Sequence, residues 1–417
     1  AMLTRFASIG SRRATASSVR SLSVFADLTA APPDAIIGLT DAYKSSTHPK
    51  KVNVGVGAYR TSAGSPYVLP SVKSAEARVV GRDMPKEYAG IGGDAAFTDL
   101  ATSFAYGAKS DNSVLASVQS LSGTGGLRVW GEFYKSFVGD TIVLPDPTWG
   151  NHIPIFKNAG LNVETYRYYD RSAAALDFDG MISDLRSGPT GKCVLLHACA
   201  HNPTGCDPTP DQWSAISDVM KERGHYAFFD AAYQGFASGD AEADAMAVRM
   251  FRERGHEMAL VQSFSKNFGL YGERVGCLSV VCKDEEEKGR VLSRMKTVVR
   301  PMYSNPPVHG ARIVSEVLGD EGLTEQWRGE CKGMAERITD MRALLVKSLE
   351  EKGSTKDWSH IQTQIGMFCY SGLTPEQVDR MRDEYDIFCT RDGRISMAGV
   401  TAENAGWLAE AMHEVTK

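Results

Sequence analysis

Between residues 120 and 282 the chain alternates short apolar runs with longer stretches whose apolar residues recur at helical spacing. The runs are TIVLP (141–145), KCVLLH (192–197), HYAFFD (225–230), EMALVQS (257–263) and RVGCLSVVC (274–282), and the apolar-polar run SVLASVQSL (113–121) precedes them. Most carry apolar residues on both faces, as strands buried between two helix layers must. PDQWSAISDVMKERG (210–224) reads as one of the covering helices, with Pro210 at its start and Gly224 at its end. This rhythm predicts a mostly parallel sheet with helical crossovers. After Pro306-Pro307 the pattern changes to long helices, with IQTQIGMFCYSGL (361–373) and ISMAGV (395–400) as strands among them, which predicts a smaller α+β unit. The Gly-rich segment VNVGVGAYRTSAG (52–64) is expected to join that smaller unit.

Composition narrows the class. A chain of 417 residues has room for two or three domains of roughly 100–200 residues each. No stretch approaches the ~20 uninterrupted apolar residues of a membrane span. With 46 Lys and Arg against 51 Asp and Glu, net charge -5, there is no global attraction to nucleic acid or an anionic membrane. The 40 glycines, roughly a tenth of the chain against an average of about 7%, suggest turns whose backbone approaches something closely. The eight cysteines form no CxxC pair, so a reducing compartment is expected rather than a disulfide framework. His197, Cys199 and His201 stand on alternate residues and would share one face of a strand, but no second ligand group follows at a zinc-like spacing, so no metal is expected. From Met2 to Ala26 the chain carries Arg5, Arg12, Arg13 and Arg20, many serines and no acid before Asp27. That is the composition of a mitochondrial transit peptide.

In open α/β sheets ligands sit beyond the carboxyl ends of the strands, which directs attention to the polar residues there. Asn202 follows KCVLLH within a Pro-Thr-Gly turn, Asp230 closes HYAFFD with Tyr233 three residues on, and Ser263 closes EMALVQS ahead of Ser265 and Lys266. A partly desolvated lysine such as Lys266 can lose its proton and act as an imine-forming amine, although taken alone it reads as a solvated loop lysine. Ser263, Ser265 and Arg274 add hydroxyls and a guanidinium of the kind that grips phosphate. Ser122-Gly123-Thr124-Gly125-Gly126 opens a helical stretch, where free amides favour an anion, yet it matches neither GxGxxG nor GxxxxGK[ST]. A nicotinamide dehydrogenase is disfavoured by that mismatch. Asp230, at the end of an apolar strand, needs a cation, for example a protonated pyridine nitrogen, or else a structural salt bridge or helix cap. Trp149 could stack on a planar ring or simply pack, and Arg300 and Arg394 could fork onto carboxylates or lie on the surface.

Taken together these segments resemble the aspartate aminotransferases, a group within the fold-type I, class I pyridoxal-phosphate enzymes. The resemblance runs from about Phe25 to the C-terminus and rests on nine ordered pieces: VNVGVGAYR, YVLPSVKSAE, QSLSGTGGLR, PDPTWGNH, HACAHNPTG, FFDAAYQGFASGD, QSFSKNFGLYGERVG, VVRPMYSNPP and QIGMFCYSGL. PTWGNH and RPMYSNPP resemble the mitochondrial branch.

The resemblance implies an α/β fold-type I transferase. Residues 67–333 would form the large cofactor domain, 34–66 and 334–417 the small domain, 25–33 an N-terminal arm and 1–24 a transit-like segment. It implies the cofactor pyridoxal 5'-phosphate, a homodimer with active sites at the subunit interface and a matrix location. Lys266 is similar to the lysine that holds the cofactor and shuttles the substrate's α-proton. Asp230 resembles the partner of the pyridine nitrogen, with His197 and His152 supporting it. Tyr233 and Asn202 match donors to the phenolic oxygen, and Trp149 the ring-stacking residue. Gly123, Thr124, Ser263, Ser265 and Arg274 match the phosphate pocket, with Tyr88 entering from the other subunit. Arg394 resembles the clamp on the substrate α-carboxylate, near Gly57 and Asn202, and Arg300 of the neighbouring subunit the residue for the distal carboxylate. One departure is Tyr88-Ala89-Gly90-Ile91, where the family usually has Leu-Pro after the tyrosine, which implies a looser entrance loop. The expected reaction is L-aspartate plus 2-oxoglutarate to oxaloacetate plus L-glutamate. The alternatives are a broader aspartate/aromatic aminotransferase and a protein of this shape that only binds ligand.

Overall fold

The computed structural model describes residues 23–31 and 37–417. Most of the transit-like segment, 1–22, and part of the expected arm therefore lie outside the described residues. The centre is a seven-stranded sheet in the order Leu115–Leu121, Val275–Val281, Met258–Ser263, Tyr226–Ala231, Cys193–His197, Thr141–Asp146, Asn162–Arg167. Six strands run one way; Val275–Val281 is antiparallel to both its neighbours. The expected mostly parallel sheet is present, with every predicted run inside it.

The runs are apolar throughout because both faces are covered. Along Tyr226–Ala231, Phe228 faces a layer with Trp130, Phe156 and Leu278, whereas Phe229 faces one with Trp213, Ile216 and Phe251. Successive side chains alternate faces, so one sheet supports two cores. The helix over residues 210–224 is observed as Pro210–Glu222, started by a capping box in which Thr209 and Gln212 satisfy each other's backbone amides.

A third core surrounds the long helix Glu321–Glu351, drawing on Leu69, Val72, Phe97, Phe264 and Phe268 as well as on the C-terminal elements. Val52–Asn53, at the start of the Gly-rich segment, pairs in parallel with Ile387–Phe388. The strands expected over 361–373 and 395–400 shrink to Phe368–Tyr370 and Arg394–Ser396, which pair antiparallel. Elsewhere in these runs His360–Thr363 is a short helix and Met397–Gly399 a 3-10 turn, and the Gln364 side chain accepts from the Tyr370 amide at 2.8 Å and donates to its carbonyl at 3.3 Å. No described helix is long and apolar enough to cross a membrane.

Candidate active site

Six strands deliver their carboxyl ends to one edge of the sheet, and the reversed strand brings its first residues, next to Arg274, to the same edge. The polar residues that close or follow these strands surround a cavity of about 220 Å³. Eleven of the expected site residues line it: Gly57, Gly123, Thr124, Trp149, Asn202, Asp230, Tyr233, Ser263, Ser265, Lys266 and Arg274. Arg394 adjoins them through Asn202. Tyr88 and Arg300 are exposed on their own chain and do not reach this cavity.

At one end stands an anion cradle. The helix Ser122–Phe137 begins at the cavity, so its first amides have no partner within the helix. Ser122 Oγ lies 3.0 Å from Ser263 Oγ and 2.9 Å from Ser265 Oγ, and Arg274 Nη1 donates to Ser265 Oγ at 3.4 Å. A Cβ on Gly123 would stand 3.2 Å from Ser263 Cβ, so glycine keeps the space between helix and strand open. Hydroxyls, free amides and a guanidinium gathered here suit a phosphate monoester.

At the other end is a carboxylate held ionised. Asp230 pairs in register with His197 on the next strand, and His152 Nε2 donates to its Oδ2 at 3.1 Å. Burial pushes the Asp230 carboxyl up, but the His152 hydrogen bond and charge, helped by His197 and Lys266, outweigh burial and leave it below the usual range. Thr148 Oγ1 is 2.7 Å from His152 Nδ1 and 3.5 Å from His197 Nε2, so one hydroxyl orients both rings. His197 is pushed down to about 3 by burial and by His152. A carboxylate held ionised by a histidine hydrogen bond is a fitting partner for a protonated pyridine nitrogen. Trp149 stands nearby with its ring edge-on to His152, centroids 5.3 Å apart.

Between the two ends lies Lys266, its Nζ 5.4 Å from the centroid of the Tyr233 ring. Burial lowers its pKa, with Asp230 opposing and Arg274 and Arg394 assisting, so the neutral amine is more accessible than in water. Burial pushes the Tyr233 hydroxyl up, which keeps it a donor at neutral pH. Arg394, itself buried, lies 4.2 Å over the Phe368 ring and donates to Asn202 Oδ1 and the Gly55 carbonyl, both at 3.3 Å. A Cβ on Gly57 would come within 3.0 Å of the same Phe368 ring.

Other residues at the site carry little signal in the sequence. Thr148 acts on two histidines from different elements, and Tyr271, which lines the cavity, accepts from the Tyr59 amide at 2.9 Å. Tyr271 sits inside the quoted Lys266 segment, which was its only sequence signal. The expectation that His197, Cys199 and His201 share a strand face fails. The strand ends at His197, Ala200 has φ 48°, and Asp207 accepts from the amides of Ala200 and His201, turning the chain. Cys199 therefore lines the cavity while the His201 ring stacks on Tyr168, centroids 3.8 Å apart.

The model of the aminotransferase class I and II family matches residues 49–412. The chain is 53% identical over 397 residues to the mitochondrial aspartate aminotransferase of Dictyostelium discoideum, covering 94% of this chain and 93% of that protein. Among solved structures, the aromatic-amino-acid aminotransferase from Burkholderia pseudomallei, covalently bound to pyridoxal phosphate, matches with TM-score 0.91 and 41% identity over 95% of this chain and 100% of that one. The broad specificity aminotransferase from Leishmania mexicana matches with TM-score 0.91 and 40% identity, over 93% of this chain and 97% of that one. With an anion cradle, a half-buried lysine and a histidine-backed carboxylate around one cavity, and a family match across most of its length, the chain belongs to the class I and II aminotransferases.

Proposed function

We propose that this enzyme is an aspartate aminotransferase, exchanging the amino group of L-aspartate with 2-oxoglutarate to give oxaloacetate and L-glutamate, with pyridoxal 5'-phosphate held in the described cavity. The observation that carries the reading is the convergence of Lys266, Asp230 and the Ser122–Ser263–Ser265–Arg274 cradle on one space. When bound, the cofactor supplies an aldehyde that accepts the amino group and a ring that withdraws electrons from the substrate α-carbon.

The chain's own residues do the rest. The cradle would hold the phosphate, with Gly123 and Thr124 offering helix amides. Asp230, ionised and braced by His152, would keep a pyridine nitrogen protonated, and Trp149 would cover the ring. Tyr233 and Asn202 would donate to the ring oxygen. Lys266 Nζ would hold the aldehyde carbon and, once displaced by the substrate amine, take the proton from the α-carbon as a neutral base. Arg394, kept buried beside Asn202 and Gly55, would fork onto the α-carboxylate, with Gly57 leaving room for it.

Tyr88 and Arg300, exposed on their own chain, would complete the site of a second copy in a homodimer, Arg300 on the distal carboxylate and Tyr88 on the phosphate. Residues 67–333 would act as the cofactor domain and 34–66 with 334–417 as a smaller one closing over the substrate. The mitochondrial name of the Dictyostelium relative and the basic, serine-rich N-terminus support a mitochondrial location, and we place the enzyme in the matrix.

The test is an absorption spectrum of cofactor-loaded protein before and after L-aspartate or L-phenylalanine, with no keto-acid acceptor. Conversion of the cofactor at low aspartate, with far more phenylalanine needed, supports the dicarboxylate reading. Equal conversion by both would move the function to broad specificity, a reading favoured by the likeness to the Burkholderia and Leishmania enzymes. Lys266→Ala should abolish the covalent link and nearly all turnover; surviving turnover would overturn the lysine assignment.

A further inference from the structure

Lys266 and Tyr233 stand on two different loops, and one side chain outside the cavity holds both. Trp327, fully buried on the helix Glu321–Glu351, donates its indole N–H to the carbonyl of Asn267 at 2.9 Å, one residue past Lys266. Cys331, one turn on, places its thiol 3.2 Å from the same oxygen. The indole stacks on Phe268, centroids 4.9 Å apart. Against it also lies Gly235, two residues past Tyr233, where a Cβ would fall 2.8 Å from Trp327 Cη2 and where φ is +84°. Asn267 completes the tie, its Nδ2 donating to the Gln234 carbonyl at 2.9 Å. Its Oδ1 is buried with no partner among the described residues, a cost that an apolar residue packed at this point would avoid.

We propose that Trp327 is a positioning residue for transamination, fixing the separation of Lys266 Nζ and the Tyr233 ring by gripping the loops that carry them. The inference rests on the roles given to Lys266 and Tyr233 above. Trp327 does not line the cavity, so it acts only through these loops. The lysine reaches the reacting carbon on a four-carbon stem, and a shift of its backbone carries the amine with it. An indole that served only as core filling would affect stability and leave the chemistry of the folded protein unchanged.

The test is Trp327→Phe, which keeps a ring on Phe268 and loses the N–H. Apo full-length protein is mixed with pyridoxal 5'-phosphate. Condensation with the lysine amine releases water, borohydride then delivers hydride to the resulting C=N bond, and mass spectrometry follows labelling of Lys266 against time and pH. Labelling should slow about tenfold and its pH profile should shift, short of the roughly 100-fold that a 1 Å misplacement costs. The kcat for aspartate should fall in parallel while KM stays within about twofold, because Arg394 is held from other elements. A folded Trp327→Phe protein with wild-type labelling, pH profile and kcat would overturn the proposal. Should that variant not fold, Cys331→Ala removes the second contact to the Asn267 carbonyl. Slowing of about threefold supports the proposal, in line with loss of a weaker sulfur donor, and wild-type behaviour overturns it. If the wild-type chain is not labelled at Lys266, the cofactor reading itself fails and takes this inference with it.

Discussion

Gly123 tests whether the hydroxyl cluster is a phosphate site or an ordinary packed turn. An added Cβ would meet Ser263 Cβ at 3.2 Å and stand beside the free amides of the helix N-terminus. Replacing glycine by alanine in a helix favours the helix by up to about 1 kcal/mol, which offsets the mild crowding of Ser263. Gly123→Ala should therefore leave apo stability unchanged within about 1 kcal/mol. The same change should weaken pyridoxal 5'-phosphate binding about tenfold, equivalent to ~1.4 kcal/mol. Titration of the apo protein alongside thermal unfolding separates the two effects, and an unaltered affinity would remove the cradle from the phosphate site. Gly123 and the serines were legible because hydroxyls and glycines follow apolar runs. Thr148 was not, because its role exists only once Thr141–Asp146 and Cys193–His197 lie side by side and bring His152 and His197 within reach of one hydroxyl.

The same contrast holds for whole elements. Buried strands such as Met258–Ser263, with every residue buried, announce themselves as apolar runs. The edge strand Asn162–Arg167 does not, since only Tyr166 along it is buried, and its sequence NVETYR reads as polar loop. The loop after Tyr226–Ala231 is a third case, recognisable by family likeness but shaped by one carboxylate. Asp244 accepts from the amides of Gly235, Ala237 and Ser238 at 2.8, 3.2 and 3.2 Å and from Ser238 Oγ at 2.7 Å. Removing it leaves the buried Gly235 amide without an acceptor, while the Ala237 amide keeps the Tyr233 carbonyl at 2.9 Å and Ser238 is exposed, so Asp244→Ala should cost roughly 2 kcal/mol, within the range for a buried donor left unpaired. Asp244→Asn keeps one acceptor oxygen and should cost less. Denaturant unfolding of the two variants checks the order, and equal stability would show that the loop does not depend on this carboxylate.

At the scale of the molecule, the positions hardest to read are those whose partners lie far off in sequence or on another chain. Tyr88 and Arg300 look like any exposed aromatic and arginine, and only likeness to a family singled them out. The histidines show the opposite, a whole-molecule property that arises from burial alone. Of nine histidines, five are lowered with burial as the leading cause: His197 to about 3, His256 to about 4, and His201, His225 and His360 in the same direction. Below their ordinary value near 6.5 the unfolded chain binds protons that the folded chain refuses, so stability is lost as pH falls from about 6.5 toward 4. Asp244 and Asp207 oppose this, since burial pushes both carboxyls up, Asp244 to about 6, and the folded state takes up those protons first. The five histidines outnumber the two carboxyls, so the slope from these groups keeps its sign. His256 isolates the effect, for it lies away from the cavity, stacked on Phe251 and 2.7 Å from Ser217 Oγ. His256→Gln can keep a hydrogen bond to Ser217, and it should flatten the pH dependence of unfolding free energy by roughly 1 kcal/mol per pH unit between about 6.5 and 4. Urea unfolding of the apo protein at half-unit pH steps measures it. A wild-type stability that is flat from pH 7 to 5, or an unchanged slope in the variant, would mean that these rings are protonated in the folded state.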